Sequence, residues 1–288
     1  MIYRISYLSD GLLVIGYLAI PNHVLSNASD ITNHLRTYFA SSRCNAEELA
    51  CIRSNTALPN HAEHSGHEQL PILIYCRGGI GQVGKVKLDW LEQFVQSGHL
   101  VFAPAYRGNE GSEGRDEFGG ADRHDVIAAY GWLCALPIVH RERVTLMGFS
   151  RGAINATLAA IQLQSVNKLI LWSGVADLAK IYDERVDLRR MLKRVIGGSP
   201  AKYPEAYRSR SPIHLASQIS CPVLVMHGTR DELVNVSHGL SMVERLREQQ
   251  IHCTLHLYEG YMHHWPGTMQ IAAVERMFAW IDDDMPAD

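Results

Sequence analysis

The chain has 288 residues, of which 47% are hydrophobic, and a formal net charge of −3. So mild a balance gives no electrostatic case for nucleic acid. No apolar run reaches the ~18–20 residues that span a bilayer, so no membrane segment is expected. The length and apolar content suit a single α/β domain over residues 1–288.

In chain order, Leu12 to Ile20 has the length of a signal-peptide core. Asp10 precedes it, Arg4 is its one basic flank, and no small-residue cleavage site follows, so residues up to Pro21 read as two strand segments. Asn22 to Gln69 is an insertion rich in Asn, Ser, His and Ala. Within it Ile31–Phe39 and Ala46–Arg53 read as short helices. His61, His64 and His67 have a metal-like spacing, but no Cys or second cluster completes a ligand set, and a polar linker is the better reading. An irregular stretch of that length serves as a cap over a site, a mobile loop, or an interface between copies in a homo-oligomer.

From Leu70 onward strands and helices alternate. Strands are expected at Pro71–Tyr75, Leu100–Ala103, Val144–Met147, Lys168–Trp172, Val223–Met226 and Thr254–Tyr258. Helices are expected from near Val86, Asp122, Ala153 and Ser237, with a last one over Thr268–Asp283. This alternation predicts an α/β fold with a mostly parallel central sheet and helices on both faces. Gly174 to Ser220 is a long excursion between two strands. Arg185–Val195 reads there as a basic helix carrying Arg189, Arg190, Lys193 and Arg194. Such a run is an exposed face, or a cap whose cations meet an acidic substrate. Cysteines stand at 44, 51, 76, 134, 221 and 253 with no Cys-x-x-Cys. Cys76 and Cys221 look like small buried thiols, which favours a reducing cytoplasm over a disulfide framework.

The most informative segment is Gly148-Phe149-Ser150-Arg151-Gly152. Apolar Val144-Thr145-Leu146-Met147 precedes it, and helix formers from Ala153 to Ala160 follow. Gly-x-Ser-x-Gly at a strand-to-helix corner is the nucleophile elbow of an α/β-hydrolase. A serine needs a histidine to take its proton, and the histidine needs a carboxylate to fix its tautomer. Pro222 to Asp231 reads as a buried strand ending in a Gly turn, with Asp231 just past the strand's carboxyl end. After an amphipathic helix over Val236–Gln249, strand Cys253–Tyr258 leads to Glu259-Gly260-Tyr261-Met262-His263-His264. His263 therefore lies at a strand end, in the Ser, acid, His order of this fold. His264 is the neighbouring candidate.

Several stretches together resemble the catalytic domain of the prolyl oligopeptidase family. Tyr7-Leu8-Ser9-Asp10-Gly11 with Ile15 to Pro21 resembles the opening hairpin. Ile72 to Gly79 resembles the strand and Gly-rich turn of the oxyanion hole. Ala105 to Ser112 with Phe118-Gly119-Gly120-Ala121-Asp122 resembles a distinctive loop before the helix preceding the elbow. Tyr207 to Ile213 resembles the entry to the next-to-last strand. The resemblance implies a triad of Ser150, Asp231 and His263 acting on acyl compounds. The expected oxyanion donors are the backbone N–H of Arg151 and one from the Gly78–Ile80 turn, Gly79 or Ile80.

Three departures limit it. Residues 1–69 are too few for the β-propeller of those peptidases, Arg77 stands where the family often has His or Tyr, and residues 22–69 are inserted. The expectation is a serine hydrolase that cleaves ester or amide bonds of small molecules or short peptides through an acyl-enzyme, with no cofactor. A peptidase is the first reading. A carboxylesterase or dienelactone-type hydrolase is the second, and an inactive binding protein the third.

Overall fold

The computed structural model describes residues 1–50 and 69–283. His61, His64 and His67 lie outside these residues. Strands β1 (Ile2–Ser9) and β2 (Leu12–Ala19) form a hairpin in which Ser9 pairs with Leu12. The two-residue turn has Asp10 at φ 50 and Gly11 at φ 77, the left-handed pair whose twist matches that of the strands.

Helix α1 (Ala28–Phe39) follows, its first turn capped by Asn27, whose side chain accepts from the Asp30 N–H at 2.9 Å. Next comes β3 (Asn45–Ala50), antiparallel to β1. A helix was expected over Ala46–Arg53, and its described part is a strand. Ala, Glu and Leu favour a helix locally, but the open edge of β1 offers a ladder of backbone hydrogen bonds, and tertiary pairing overrides weak propensity.

The remaining strands are β4 (Leu70–Cys76), β5 (Leu100–Pro104), β6 (Val139–Phe149), β7 (Lys168–Trp172), β8 (Val223–Gly228) and β9 (Cys253–Tyr258). The sheet order is β3-β1-β2-β5-β4-β6-β7-β8-β9. Pairing is parallel from β5 through β9 and antiparallel among the first strands. This is the mostly parallel sheet the alternation predicts.

Helices α2 (Leu88–Val95), α3 (Arg123–Cys134) and α4 (Gly152–Leu163) are followed by α5 (Leu178–Glu184), α6 (Arg189–Ile196), α7 (Pro204–Arg208) and α8 (Pro212–Leu215). The last two are α9 (Ser237–Glu248) and α10 (Gly267–Asp282). One face of the sheet is covered by α2 and α10, with Leu91, Phe94, Met277 and Phe278 in a common core. The other is covered by α1, α3, α4 and α9, through Leu35, Trp132, Ala156 and Leu246. A third apolar cluster, with Phe118, Ile154, Ile181, Leu192 and Tyr207, ties the 174–220 excursion onto α4.

The expected helix over Arg185–Val195 starts late: a 3₁₀ turn at Val186–Leu188 precedes α6. Arg185 is drawn out of helical geometry by Asp187, which accepts from its guanidinium at 2.9 and 2.6 Å. Among the described residues, no helix is long and apolar enough to cross a membrane, and no group of three or more His, Cys, Asp or Glu could hold a metal ion.

Candidate active site

Ser150 sits between the end of β6 and the start of α4 with φ 56, the left-handed conformation that costs a non-glycine residue energy and lifts its side chain out of the turn. Its amide donates to the Trp172 carbonyl at 2.9 Å, and its carbonyl accepts from Ala153 and Val175 at 3.2 and 3.1 Å. The flanking glycines answer to close approach. A Cβ on Gly148 would run into the Ala153 backbone, and one on Gly152 into the Cys76 carbonyl.

Asp231 follows β8, and His263 follows β9. Their side chains meet: Nδ1 of His263 lies 2.8 Å from Oδ2 and 3.0 Å from Oδ1 of Asp231. A carboxylate only accepts, so Nδ1 carries the proton and Nε2 of the neutral ring is left as a base. Oδ1 of Asp231 also accepts from the Leu233 and Val234 amides at 3.0 and 2.8 Å. Behind the pair lies fully buried His227, whose Nε2 donates to the Val234 carbonyl at 2.8 Å and stands 3.4 Å from Oδ2 of Asp231. Burial alone would raise the Asp231 pKa. Hydrogen bonds from His227, His263 and Val234, with the attraction of the His263 ring in its protonated form, outweigh it and hold the carboxyl well below its usual range.

Ser150 and His263 line one cavity of about 240 Å³ together with Gly79, Ile80 and Arg151. Ser150 Oγ makes no hydrogen bond among the described residues, a looseness common where no substrate is bound. His264 lines the same cavity but makes no hydrogen bond to Asp231, which pairs with His263. Burial, then His263 and Lys87, push its pKa down.

Arg151 contributes more than a backbone amide. Its guanidinium, 2% exposed, binds both oxygens of Asp116 at 2.8 and 2.7 Å and Oδ2 of Asp122 at 2.6 Å. The same group donates to the Gly79 carbonyl at 2.8 Å. Burial would lower its pKa, but Asp116 and Asp122 raise it above the ordinary arginine value. Arg77 reaches the same turn, donating to the carbonyls of Gly78 and Gly79 at 3.0 and 3.2 Å and of Ala105 at 2.5 Å. Asn109 holds the next amide, accepting from Gly81 at 3.1 Å.

The Gly78–Gly79 carbonyls thus point back at two guanidiniums. Across a planar trans peptide the following N–H points the opposite way. The amides of Gly79, Ile80 and Arg151 donate to no acceptor among the described residues, and all three residues line the cavity.

These contacts explain the two loop runs singled out in the sequence. Arg107 binds Asp125 and Asp10 at 2.7 and 3.0 Å, Asn109 holds the glycine turn, and Asp122 accepts from Arg151, Asn155 and the Gly119 amide. Sequence reasoning missed the bracing by Arg77, Arg151 and His227. The local signals were a charged residue at each glycine-rich motif and a histidine four residues before Asp231.

The two loop segments fare differently. Residues 22–50 contribute no lining residue, and β3 stands at the edge of the sheet opposite β9. The 174–220 excursion contributes Val175, Ile181, Arg185, Leu188 and Met191 to the cavity wall. Arg189, Arg190, Lys193 and Arg194 do not line it; Arg189 donates to the Tyr182 and Asp183 carbonyls.

A left-handed serine at a strand-to-helix corner, beside an imidazole–carboxylate pair over a mostly parallel sheet, is the arrangement of an α/β-hydrolase. A sequence profile described as the Prolyl oligopeptidase family matches residues 86–287, and the chain belongs to that family. It is 38% identical over 221 residues to the uncharacterized peptidase YtmA of Bacillus subtilis, covering 76% of this chain and 86% of YtmA. A puromycin-hydrolyzing peptidase of Mycobacterium tuberculosis superposes with a TM-score of 0.72 at 21% identity, over 97% of this chain and 39% of that one. The Pyrococcus horikoshii acylaminoacyl peptidase gives 0.71 at 16% identity, over 99% of this chain and 42% of its own. The chain thus spans about four tenths of these two solved chains.

Proposed function

We propose that the chain is a serine peptidase that cleaves short peptides through an acyl-enzyme, with Ser150 as nucleophile, His263 as base and Asp231 as its orienting acid. His263 Nε2 takes the hydroxyl proton as Ser150 Oγ attacks the scissile carbonyl carbon. The carbonyl π electrons move to oxygen, and the oxyanion rests against the N–H groups of Arg151 and Ile80. Collapse restores the carbonyl, and the leaving amine departs with the proton from His263. Water repeats the sequence on the acyl-enzyme and releases the acid. Nothing in these steps calls for a cofactor.

The observation that carries the reading is the Nδ1 contact of His263 with Asp231 at 2.8 Å, in the same cavity as a serine at φ 56. The named activities of the M. tuberculosis and P. horikoshii proteins, both peptidases, favour amide over ester substrates. Esters pass through the same acyl-enzyme and serve as practical probes. The 174–220 excursion acts as the cap that limits the site to small substrates. Cys44, Cys76, Cys134, Cys221 and Cys253 are free, which supports a reducing compartment such as the cytoplasm. The test is a panel of N-acetylated aminoacyl and peptidyl amides and short acyl esters with purified wild-type protein and Ser150→Ala. Cleavage of amides by the wild type alone is expected, and cleavage of esters only would move the assignment to a carboxylesterase.

A further inference from the structure

Every charged side chain that lines the cavity is a cation or a histidine: Arg77, Lys85, Lys87, Arg151 and Arg185, with His263 and His264. Among the described residues no carboxylate lines it. Of the nearby acids, Glu110 accepts from the Val86 amide between Lys85 and Lys87, and Asp89 stands in the first turn of α2; neither lines the cavity, and the others are committed elsewhere. Asp116 and Asp122 hold Arg151, Asp187 holds Arg185, and Asp231 holds His263. Glu232 is exposed and accepts from the His263 amide at 3.4 Å.

Of the cations, Arg77 and Arg151 are bound to the glycine turn and the buried acids. Lys85 and Lys87 are different. Both are exposed, and neither has a carboxylate partner among the described residues. Lys87 Nζ lies 5.6 Å from the Trp90 ring centroid, at the cavity wall. The rest of the wall is largely apolar, with Ile80, Val83, Ile181, Leu188 and Met191.

We propose that this site selects substrates in which an apolar acyl portion is joined to a carboxylate, bound by Lys85 and Lys87, and disfavours a free α-ammonium. The inference rests on the serine-peptidase reading and deepens it. An ammonium entering this cleft meets like charges and finds no carboxylate to replace its lost water. A carboxylate finds two uncommitted ammonium groups beside an apolar wall. The acidic group thus meets the segment between the glycine turn and α2, and not Arg189, Arg190, Lys193 and Arg194 of the excursion, which do not line the cavity.

The test compares one peptide, Ala-Ala-Phe p-nitroanilide, in N-succinyl, N-acetyl and free-amine forms. The succinyl form should exceed the acetyl form in kcat/KM by about fivefold, the scale of an exposed ion pair. The free amine should be the poorest, and added salt should shrink the differences. In Lys85→Met/Lys87→Met the succinyl-to-acetyl ratio should fall to about one. Affinities of the three peptides for Ser150→Ala, read by calorimetry, should follow the same order whether or not the amide is cleaved. Fluorophosphonate labelling of the wild type separately reports whether Ser150 is a nucleophile. Equal succinyl and acetyl values in the wild type, a ratio preserved in the double variant, or a preference for the free amine would overturn the proposal.

Discussion

Arg151, the residue after the elbow serine, donates from its guanidinium to the carbonyl of Gly79, 72 positions away, at 2.8 Å. This one contact joins the two segments whose backbone amides are left free toward the cavity. It places a buried cation behind them, balanced by Asp116 and Asp122. In the proposed mechanism the geometry of the oxyanion site is therefore held by buried guanidiniums bound to backbone carbonyls and acids.

Removing that cation should damage the fold as well as the site. Arg151→Met leaves Asp116 and Asp122 buried without their partner, and breaking such a pair costs about 3–5 kcal/mol. Urea unfolding of Arg151→Met against wild type measures it. A loss within experimental error would mean that the buried network is not what holds the elbow.

Arg77→Met tests positioning more selectively, because Arg77 binds carbonyls and has no ion pair of its own among the described residues. If it aims the Ile80 amide, kcat should fall by about 10²–10³, the scale of a lost oxyanion donor, with KM little changed. A variant that folds, keeps kcat and loses only KM would place Arg77 in substrate binding instead.

The histidine pair separates by mutation. His263→Ala and Asp231→Asn should each lower kcat by about 10⁴, since the base or its tautomer is lost. His264→Ala should chiefly alter KM, because His264 lines the cavity without touching Asp231. An active His263→Ala with a dead His264→Ala would reverse the assignment.

Acidification should switch activity off with a one-proton slope. Asp231 is held well below the usual carboxylate range, so it stays ionised across the span of about pH 5–8 in which a histidine titrates. His264 is pushed down by burial, His263 and Lys87, away from the range of an ordinary histidine. For stability the sign is equally definite. A depressed carboxylate stabilises the fold above its unfolded pKa of about 3.9, and that contribution is lost as pH falls through the lowered value. A kcat/KM profile that is flat over this span, or that falls with a two-proton slope, contradicts the scheme.

The sequence and the structure agree where the signal was local. Buried parallel strands such as Lys168–Trp172 are short continuous apolar runs, and the close-approach glycines at 148 and 152 mark the elbow. What could not be read depended on partners distant in the chain. Ala46 to Ala50 is a strand because β1 offers it an edge. That the side chains of Arg77 and Arg151 brace the glycine turn shows only once Ala105, Asp116 and Asp122 are folded against them. The histidine register was open in sequence, since adjacent residues after a strand differ only in where the loop aims them.

The segment at 22–50 packs on the sheet away from the cavity. Leu35 is fully buried against the sheet, and Thr32 Oγ1 accepts from the Ala46 amide at 2.9 Å. Leu35→Ala should therefore cost about 2–5 kcal/mol of stability while leaving kcat/KM unchanged. Altered substrate range with unchanged stability would instead make this segment part of the site.

The central claim is that Ser150 attacks the substrate. Intact-protein mass spectrometry after treatment with a fluorophosphonate, followed by peptide mapping, tests it directly. The account predicts one adduct, on Ser150, absent from Ser150→Ala and formed far more slowly in His263→Ala. An adduct on another residue, or peptide hydrolysis by Ser150→Ala at the wild-type rate, would contradict it.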